Sequence, residues 1–226
     1  MLKINVAIDG PVGSGKTTIG RLLAERLNYH FFDSGLLYRH FAFFCCQQNK
    51  MIESRIMLAD EKEKLLQLWK KWLKSNKENM VSELEKERQK LSSSVISNLA
   101  SQLSPLPELR EIILDFQRKL IHEKGWVVVG RDITSKVLPN AEVKIFLTAS
   151  LEERAKRRSE QLKLNSEKVK EELQARDERD KGRKNSPLIR TADSWELDTT
   201  HLSPTKIVEK ILEHVGRIFF LESNKH

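Results

Sequence analysis

The sequence has 226 residues, of which 39% are hydrophobic and 32% are charged, and its formal net charge is +8. This length suits one large α/β domain with an insertion, and no apolar run approaches the roughly 20 residues that a membrane-spanning helix needs. The basic residues are interleaved with acidic ones, which disfavours a nucleic-acid-binding protein, and the positive net charge also suits a protein with small anionic ligands.

The first elements of the chain predict a phosphate-binding loop. A buried strand is predicted over residues 3–9 and a helix over residues 16–28, and the segment between them fits the pattern G-x-x-x-x-G-K-[ST]. In this context backbone N–H groups surround phosphate oxygens, and the helix N-terminus adds partial positive charge. Lys16 can reach the β- and γ-phosphates, and the Thr17 hydroxyl can hold Mg²⁺. The predicted nucleoside triphosphate contacts are Gly10, Pro11, Val12, Gly13, Ser14, Gly15, Lys16, Thr17 and Thr18.

A second short strand, His30 to Phe32, is predicted to end at Asp33, and an apolar helix follows over residues 34–48. Either Asp33 or Ser34 can cap this helix. The helix contains the two cysteines, Cys45 and Cys46, which are adjacent and therefore seldom pair with each other. We expect two small buried side chains in a reducing compartment. Because the first strand leaves no room for a signal peptide, we expect a cytoplasmic protein.

The next part of the chain predicts helices only. Residues 53–75 form an amphipathic pattern with Trp69 and Trp72 on the apolar stripe, which favours core packing over base stacking. Asn76 to Asn79 predict a turn. Further helices are predicted over residues 80–91, 92–104 and 108–123.

The last part of the chain predicts buried strands between charged helices. The strands are Trp126 to Val129, Glu142 to Leu147 and Ser194 to Leu197, and the helices cover residues 150–163, 166–183 and the segment that begins at Ser203-Pro204. Strands that alternate with helices imply an α/β fold with a central five-stranded parallel sheet and helices on both faces. Ligands then bind at the carboxyl ends of the strands.

Three polar segments follow the first three predicted strands, namely Gly10–Thr17, Asp33–Arg39 and Gly130–Asp132. We therefore expect them at one edge of the sheet. Arg131 leaves a buried strand at this edge, and its guanidinium can bind a phosphate through two parallel hydrogen bonds.

The two charged helices carry arginine clusters, which are Arg154, Arg157 and Arg158 on the first and Arg176, Asp180 and Arg183 on one face of the second. Taken alone, such clusters are typical of surface salt-bridge ladders. Two arginine-rich helices joined by a short turn near Asn165 also suit a mobile lid. A lid excludes water and delivers arginines to the transferring phosphoryl group.

With these segments in place, the chain resembles bacterial cytidylate kinase, a nucleoside monophosphate kinase with the P-loop NTPase fold. The matching stretches occur in the family's order and cover most of the chain outside about residues 48–90. They are VAIDGPVGSGKTT, DSGLLYR, SQLSPLPELRE, VVVGRDI, LPNAEVKIFL, ERAKRR, ARDERDKGR and SPLIRTADSWELDTT. We expect one kinase domain with a core (residues 1–33, 124–150 and 190–220), a helical monophosphate-binding insertion (residues 34–123) and an arginine-rich lid (residues 151–189).

The resemblance also implies residue roles. Arg154 to Arg158 match the ATP lid, with Arg157 as the phosphate contact beside Arg154, and Asp180 is associated with the pentose hydroxyls. Catalytic roles fall to Lys16, Arg131, Asp132 and Arg157. The positions that match contacts to cytidine monophosphate (CMP) are Asp33, Ser34, Tyr38, Arg39, Ser101, Arg110, Arg131, Asp132, Arg176, Asp180 and Arg183.

The implied reaction is ATP + CMP ⇌ ADP + CDP, with Mg²⁺ accompanying ATP and dCMP also accepted. The acceptor phosphate is mostly dianionic at neutral pH, so positive charge rather than a general base is needed. Asp9, just before the loop, is interpreted as orienting the loop or a metal-bound water. The expected partners are ATP and CMP or dCMP, and the protein is expected to act as a monomer.

Two departures from the family pattern bear on the acceptor. Thr134 stands where glycine usually follows GRD-x, so the turn there is expected to differ. Residues 50–90 read as charged helices, whereas longer members carry a small β-rich insertion that affects how CMP is enclosed.

Other functions stay open at this point. The acceptor could be UMP, AMP or another small metabolite. A P-loop switch protein is disfavoured because the nearest string to N-K-x-D, Asn76 to Asn79, lacks the aspartate. An RNA-associated protein is suggested by the net charge alone.

Overall fold

The computed structural model describes residues 3–48, 59–76 and 79–223. Residues 53–58 of one predicted helix, and residues 77 and 78 of the predicted turn, lie outside the described residues. The chain divides into two units. Unit 1 comprises the described residues of Met1–Asp33 and Glu123–His226, and unit 2 comprises those of Ser34–His122.

Unit 1 is built on a parallel sheet that has five strands within the described residues. Along the sheet the order is β2-β3-β1-β4-β5, and every neighbouring pair is parallel. The strands are β1 (Val6–Asp9), β2 (His30–Asp33), β3 (Trp126–Gly130), β4 (Val143–Thr148) and β5 (Trp195–Asp198). Fully buried valine and isoleucine side chains line β1, β3 and β4, as expected for strands covered on both faces. The predicted α/β fold with a five-stranded parallel sheet is confirmed.

Helices α1 (Lys16–Leu27) and α10 (Pro204–Ser223) pack against this sheet in one apolar cluster, through Ile19 and Leu23 of α1 and Ile207 and Ile211 of α10. The approach of α1 to the sheet is close at Gly20. A Cβ atom there would lie 2.6 Å from Val129 Cγ1 and 2.9 Å from Phe31 Cε2. A glycine at this position therefore lets the helix that follows the phosphate loop sit directly on β3.

Two charged helices, α8 (Leu151–Leu162) and α9 (Ser166–Lys181), pack together through Ala155, Val169 and Leu173. The side-chain oxygens of Ser150 and Asn165 cap them by accepting backbone N–H bonds from the first turn of each helix. Since Asn165 caps α9, the predicted turn between the two helices falls at its expected position.

The regular elements among the described residues of unit 2 are all helices. Its elements are α2 (Gly35–Gln47), α3 (Ala59–Ser75), α4 (Met80–Lys86), α5 (Arg88–Leu91), α6 (Ser94–Leu103) and α7 (Pro107–Leu120). The prediction of one helix over residues 80–91 is wrong, because the helix is interrupted at Glu87 and two shorter helices, α4 and α5, form instead. All six residues between Leu84 and Leu91 are polar, and a helix without buried contacts gains little stability from packing.

The core of unit 2 contains the aromatic residues of the predicted amphipathic helix. Trp69 is fully buried and Trp72 is half-buried, so their predicted packing role is confirmed. Cys45 is buried and burial raises its pKa to about 12. Cys46 is only half-buried, so the prediction of two buried cysteines is wrong for this residue. None of the helices in the described part of the chain is long and apolar enough to cross a membrane.

Candidate active site

The loop between β1 and α1 has the backbone conformation of a phosphate-binding loop. Gly10, Gly13 and Gly15 have φ values of 152°, 80° and 89°, which glycine adopts far more readily than other residues. A Cβ atom at Gly10 would lie 2.2 Å from the Leu147 carbonyl oxygen. The predicted loop residues therefore form a tight turn directly before the N-terminus of α1, where an anion is favoured.

Lys16 lies buried within this loop. Its Nζ donates to the Pro11 carbonyl oxygen at 2.6 Å and to Ser14 Oγ at 3.2 Å. Burial lowers the pKa of Lys16 well below its usual range, and the nearby Arg131 guanidinium lowers it as well. Asp33 and Asp9 act to raise this pKa. Lys16 and Arg131 thus belong to one concentration of positive charge, as polyphosphate binding requires.

An oxygen pair lies at the first turn of α1, where Thr17 Oγ1 donates to Asp33 Oδ2 at 3.1 Å. Among the described residues, no group of three or more His, Cys, Asp or Glu side chains is arranged to hold a metal ion. Mg²⁺ in kinases usually takes one or two protein oxygens and completes its shell with phosphates and water. The Thr17 and Asp33 oxygens therefore fit such an ion.

Both carboxylate oxygens of Asp9 accept hydrogen bonds. Oδ1 accepts from the Ile133 backbone N–H at 2.9 Å, and Oδ2 accepts from the Thr134 N–H at 2.8 Å and from Thr134 Oγ1 at 2.7 Å. Burial raises the pKa of Asp9 to about 6, and these three hydrogen bonds oppose the rise. The segment that Asp9 holds is a π-helical turn, Ile133–Val137, directly after Arg131 and Asp132.

The predicted basic cluster of unit 1 forms around Asp180, which is 1% exposed. Arg131 Nε donates to Asp180 Oδ2 at 2.9 Å, and Arg183 pairs with the other carboxylate oxygen. Burial acts most strongly to raise the pKa of Asp180, but the guanidinium groups of Arg131, Arg183 and Arg176 outweigh it and hold the pKa below its usual range. The structure thus brings Arg131, Arg176 and Arg183 around Asp180, and their contact with CMP stays a prediction.

The two arginines expected to contact ATP contact protein groups in the structure. Arg154 is buried, donates to the carbonyl oxygens of Ala149 at 3.0 Å and Val12 at 3.1 Å, and forms an ion pair with Asp177 at 2.8 Å. It thereby connects α8 and α9 to the phosphate loop. Arg158 is the third arginine of the predicted cluster on α8, and it donates to Gln161 Oε1 of the same helix at 2.9 Å.

Arg157 donates to Glu153 Oε1 at 2.8 Å and to the Thr199 carbonyl oxygen at 2.6 Å. Sequence reasoning missed Thr199, which is fully buried after β5 and whose hydroxyl donates to the Thr148 carbonyl oxygen at 2.9 Å. Thr199 and Thr200 end the stretch SPLIRTADSWELDTT, which is one of those that carry the resemblance. The sequence therefore did contain a signal for Thr199.

In unit 2, Ser34 directly before α2 and Tyr38 on α2 are linked to α7. The Gln117 side-chain amide donates to Ser34 Oγ at 2.5 Å, and the Arg110 guanidinium carbon lies 5.5 Å from the centre of the Tyr38 ring. The prediction that Asp33 or Ser34 caps α2 is wrong, because Ser34 accepts from Gln117 and Asp33 accepts from Thr17.

Arg39 Nε donates to the Gly35 carbonyl oxygen at 3.2 Å within α2. Ser101 on α6 and Arg110 on α7 are both buried, at 4% and 8% exposure. Unit 2 therefore holds five of the predicted acceptor contacts, four of them on three helices and the fifth, Ser34, immediately before α2. In unit 1, Asp132 is buried, and Thr18 is exposed in the first turn of α1.

Comparison with known proteins identifies the family. The cytidylate kinase family matches residues 6–217. A cytidylate kinase from Caldanaerobacter subterraneus subsp. tengcongensis is 38% identical, over 96% of this chain and 96% of that protein. One from Mycoplasma capricolum subsp. capricolum is 36% identical over the whole of both chains.

Among solved structures, an uncharacterized protein from Eubacterium ventriosum ATCC 27560 has a TM-score of 0.53 over 96% of this chain and 99% of that one. Its sequence identity of 13% makes this a similarity of fold alone. The family match and the two full-length relatives decide the matter: the chain belongs to the cytidylate kinase family.

Proposed function

We propose that the protein transfers the γ-phosphoryl group of ATP to CMP, giving ADP and CDP, and that it also accepts dCMP. The observation that carries this proposal is the buried Lys16 of the phosphate loop, whose charge interacts with Arg131 of the Arg131–Asp180–Arg183 cluster. One loop for a triphosphate and a neighbouring guanidinium cluster suit a donor and an acceptor that both carry phosphate.

The chemistry needs little proton transfer. A phosphate monoester has a second pKa of about 6, so the acceptor oxygen is already deprotonated at neutral pH. The main obstacle is repulsion between two anions brought into line, and fixed positive charge lowers it. We assign this role to Lys16, Arg131 and Arg157, and we assign to Asp132 a contact with the acceptor.

Thr17 and Asp33 would hold Mg²⁺, which offsets phosphate charge when it is bound with ATP. We propose that Asp9 orients the turn that begins at Ile133, rather than the phosphate loop or a metal-bound water, because both of its oxygens accept hydrogen bonds from Ile133 and Thr134. Asp9 thereby fixes the turn that follows Arg131 and Asp132.

The remaining residue roles follow the family pattern. We propose that Asp180 binds the pentose hydroxyls, and that Arg154 acts through the phosphate loop that it holds. The loop residues Gly10 to Thr18 would bind ATP. The proposed acceptor contacts are Asp33, Ser34, Tyr38, Arg39, Ser101, Arg110, Arg131, Asp132, Arg176, Asp180 and Arg183.

We also propose that the protein acts as a monomer in the cytoplasm. The free thiols of Cys45 and Cys46 support a reducing compartment. Sedimentation velocity at micromolar concentration tests the oligomeric state.

The decisive experiment is coupled ADP release measured with CMP, dCMP, UMP and AMP as acceptors. We expect the highest kcat/KM for CMP, with dCMP next, and loss of transfer in Lys16→Ala with an unchanged circular dichroism spectrum. A preference for UMP or AMP would reassign the acceptor. ATP hydrolysis that does not depend on any acceptor would instead favour a P-loop switch protein.

A further inference from the structure

An aromatic cluster connects α3 to α2 inside unit 2. Trp69 Nε1 donates to His40 Nδ1 at 2.9 Å, and the Trp72 ring stacks on the His40 ring with centroids 4.0 Å apart and planes 15° from parallel. The Trp69 ring also meets Phe41 edge-on at 5.1 Å. Since the indole N–H is a donor only, His40 must be neutral, and burial lowers its pKa to about 4.

The helix that carries His40 also carries proposed acceptor contacts. Tyr38 and Arg39 directly precede His40 on α2, and Ser34 stands immediately before the helix. A helix is rigid over this distance, so the orientation of His40 fixes the rotation of the turn that bears Tyr38 and Arg39.

Helix α3 contacts α7 as well. Lys62 Nζ donates to Glu108 Oε1 at 2.8 Å, and Glu108 lies half a turn before Arg110, another proposed acceptor contact. Helices α2 and α7 are also joined directly, by the Ser34–Gln117 hydrogen bond and the Tyr38–Arg110 contact. Helices α2, α3 and α7 thus form a triangle whose three sides are each joined by side chains.

On the two sides that involve α3, the contacts described above are made by His40, Phe41 and Glu108, which are not among the proposed substrate contacts. Helix α3 lies within about residues 48–90, which contain none of the motif stretches quoted for the resemblance, although the family match itself spans residues 6–217. A helix that is joined to two helices bearing proposed substrate contacts can set the separation of those contacts.

We propose that His40 and Trp72 are positioning residues for the acceptor nucleotide, and that α3 holds α2 and α7 in the arrangement in which Tyr38, Arg39 and Arg110 bind it. This inference rests on the proposed function. His40 and Trp72 act through the helices and make no contact with the reacting atoms.

The test compares steady-state kinetics of Trp72→Ala and His40→Leu with those of the wild-type protein. We expect KM for CMP to rise on the order of tenfold because the acceptor contacts lose their arrangement. KM for ATP and kcat should stay within about twofold, since the phosphate loop belongs to unit 1. Thermal unfolding of each variant verifies that it is folded at the assay temperature.

Conservative variants separate positioning from general damage. Trp72→Phe keeps a ring for stacking, and His40→Asn keeps an acceptor where Nδ1 lies, so both should restore KM for CMP towards the wild-type value. Leu68→Ala is the matched control, because Leu68 is 41% exposed on the same helix. It should leave both KM values unchanged.

An unchanged KM for CMP in folded Trp72→Ala, or an equal rise in both KM values, would overturn the positioning role. Failure of the proposed function would look different, because the wild-type protein itself would then show no activity that depends on CMP. The two ideas can therefore fail separately.

Discussion

Two buried carboxylates of unit 1 have pKa values shifted in opposite directions, because their neighbours differ. Asp9 is surrounded by neutral donors, which cannot compensate fully for desolvation, and its pKa rises to about 6. Asp180 is equally buried but lies among guanidinium groups, and its pKa falls. At neutral pH Asp180 therefore stays charged and keeps Arg131 and Arg183 in place, while Asp9 serves mainly as a hydrogen-bond acceptor for a turn.

Replacing Arg131 by alanine removes one of the fixed positive charges near Lys16. We expect kcat/KM for CMP to fall on the order of 10²-fold or more, which is typical when one charged transition-state contact is lost. Arg131→Lys should recover only part of this loss, because an ammonium cannot form two parallel bonds to a phosphate. Steady-state assays of both variants measure the effect, and an unchanged kcat/KM in Arg131→Ala would remove Arg131 from the site.

His40 should make the protein sensitive to acid. Burial lowers its pKa from 6.5 to about 4, so the folded state binds the proton less tightly than the unfolded chain. The free energy of unfolding should therefore fall as the pH falls from about 6.5 towards 4, and the contribution is complete above that window. A shift of this size corresponds to at most roughly 3 kcal/mol.

Urea unfolding of the wild-type protein and of His40→Asn at pH 7 and near pH 4.5 measures this contribution. The difference in stability between the two pH values should be smaller in His40→Asn, because its amide does not titrate. An identical pH dependence in both proteins would contradict the assignment.

At the scale of elements, the sequence predicts most of unit 1. The apolar run from Trp126 to Val129, with its three β-branched valines, predicts a buried strand because it does not alternate with polar residues. Likewise, Gly10 to Thr17 between a strand and a helix restricts that segment to a phosphate-binding turn. The residues within these segments determine their structure, so they can be predicted from short stretches of sequence.

Partners that are distant in sequence were not predictable in the same way. Ser34 carries a typical capping side chain, yet its hydroxyl accepts from Gln117, 83 residues away. The break at Glu87 and the stacking of Trp72 on His40 also depend on which helices meet in unit 2. The candidate site was therefore predicted as a set of residues, whereas the supporting contacts of Asp177, Thr199 and Gln117 emerged only from the structure.

Gly20→Ala tests the contact between α1 and the sheet. Alanine favours a helix over glycine by about 1 kcal/mol, but a Cβ atom 2.6 Å from Val129 Cγ1 forces the helix outward. Overpacking of this kind costs about 1–3 kcal/mol, so we expect net destabilisation in urea unfolding.

Gly216→Ala on α10 is the matched control for Gly20→Ala. Apart from the glycine itself, its chain neighbours and the backbone of its own helix, no atom of the described residues lies within 4 Å of the position that its Cβ would take. This substitution should therefore stabilise the protein by up to about 1 kcal/mol. If both variants were stabilised equally, the close approach at Gly20 would be unimportant.

The whole molecule carries a formal net charge of +8, while both proposed substrates are anions. Long-range attraction should raise the rate of encounter, and salt screens it over about 10 Å at 0.1 M. We expect kcat/KM for CMP to fall several-fold as KCl rises from about 50 to about 500 mM, with a much smaller change in kcat. Sucrose at matched osmolarity is the control, and parallel falls in kcat and kcat/KM would exclude an effect on encounter.

The position of the two cysteines gives the molecule a selective reporter. Both belong to α2 of unit 2, and burial raises the pKa of each thiol, most strongly that of Cys45. Alkylating reagents react with the thiolate, so Cys45 is protected at neutral pH until α2 loosens from its neighbours. The labelling rate of Cys45 therefore measures the local opening of unit 2, and it does not report on the sheet that carries the phosphate loop.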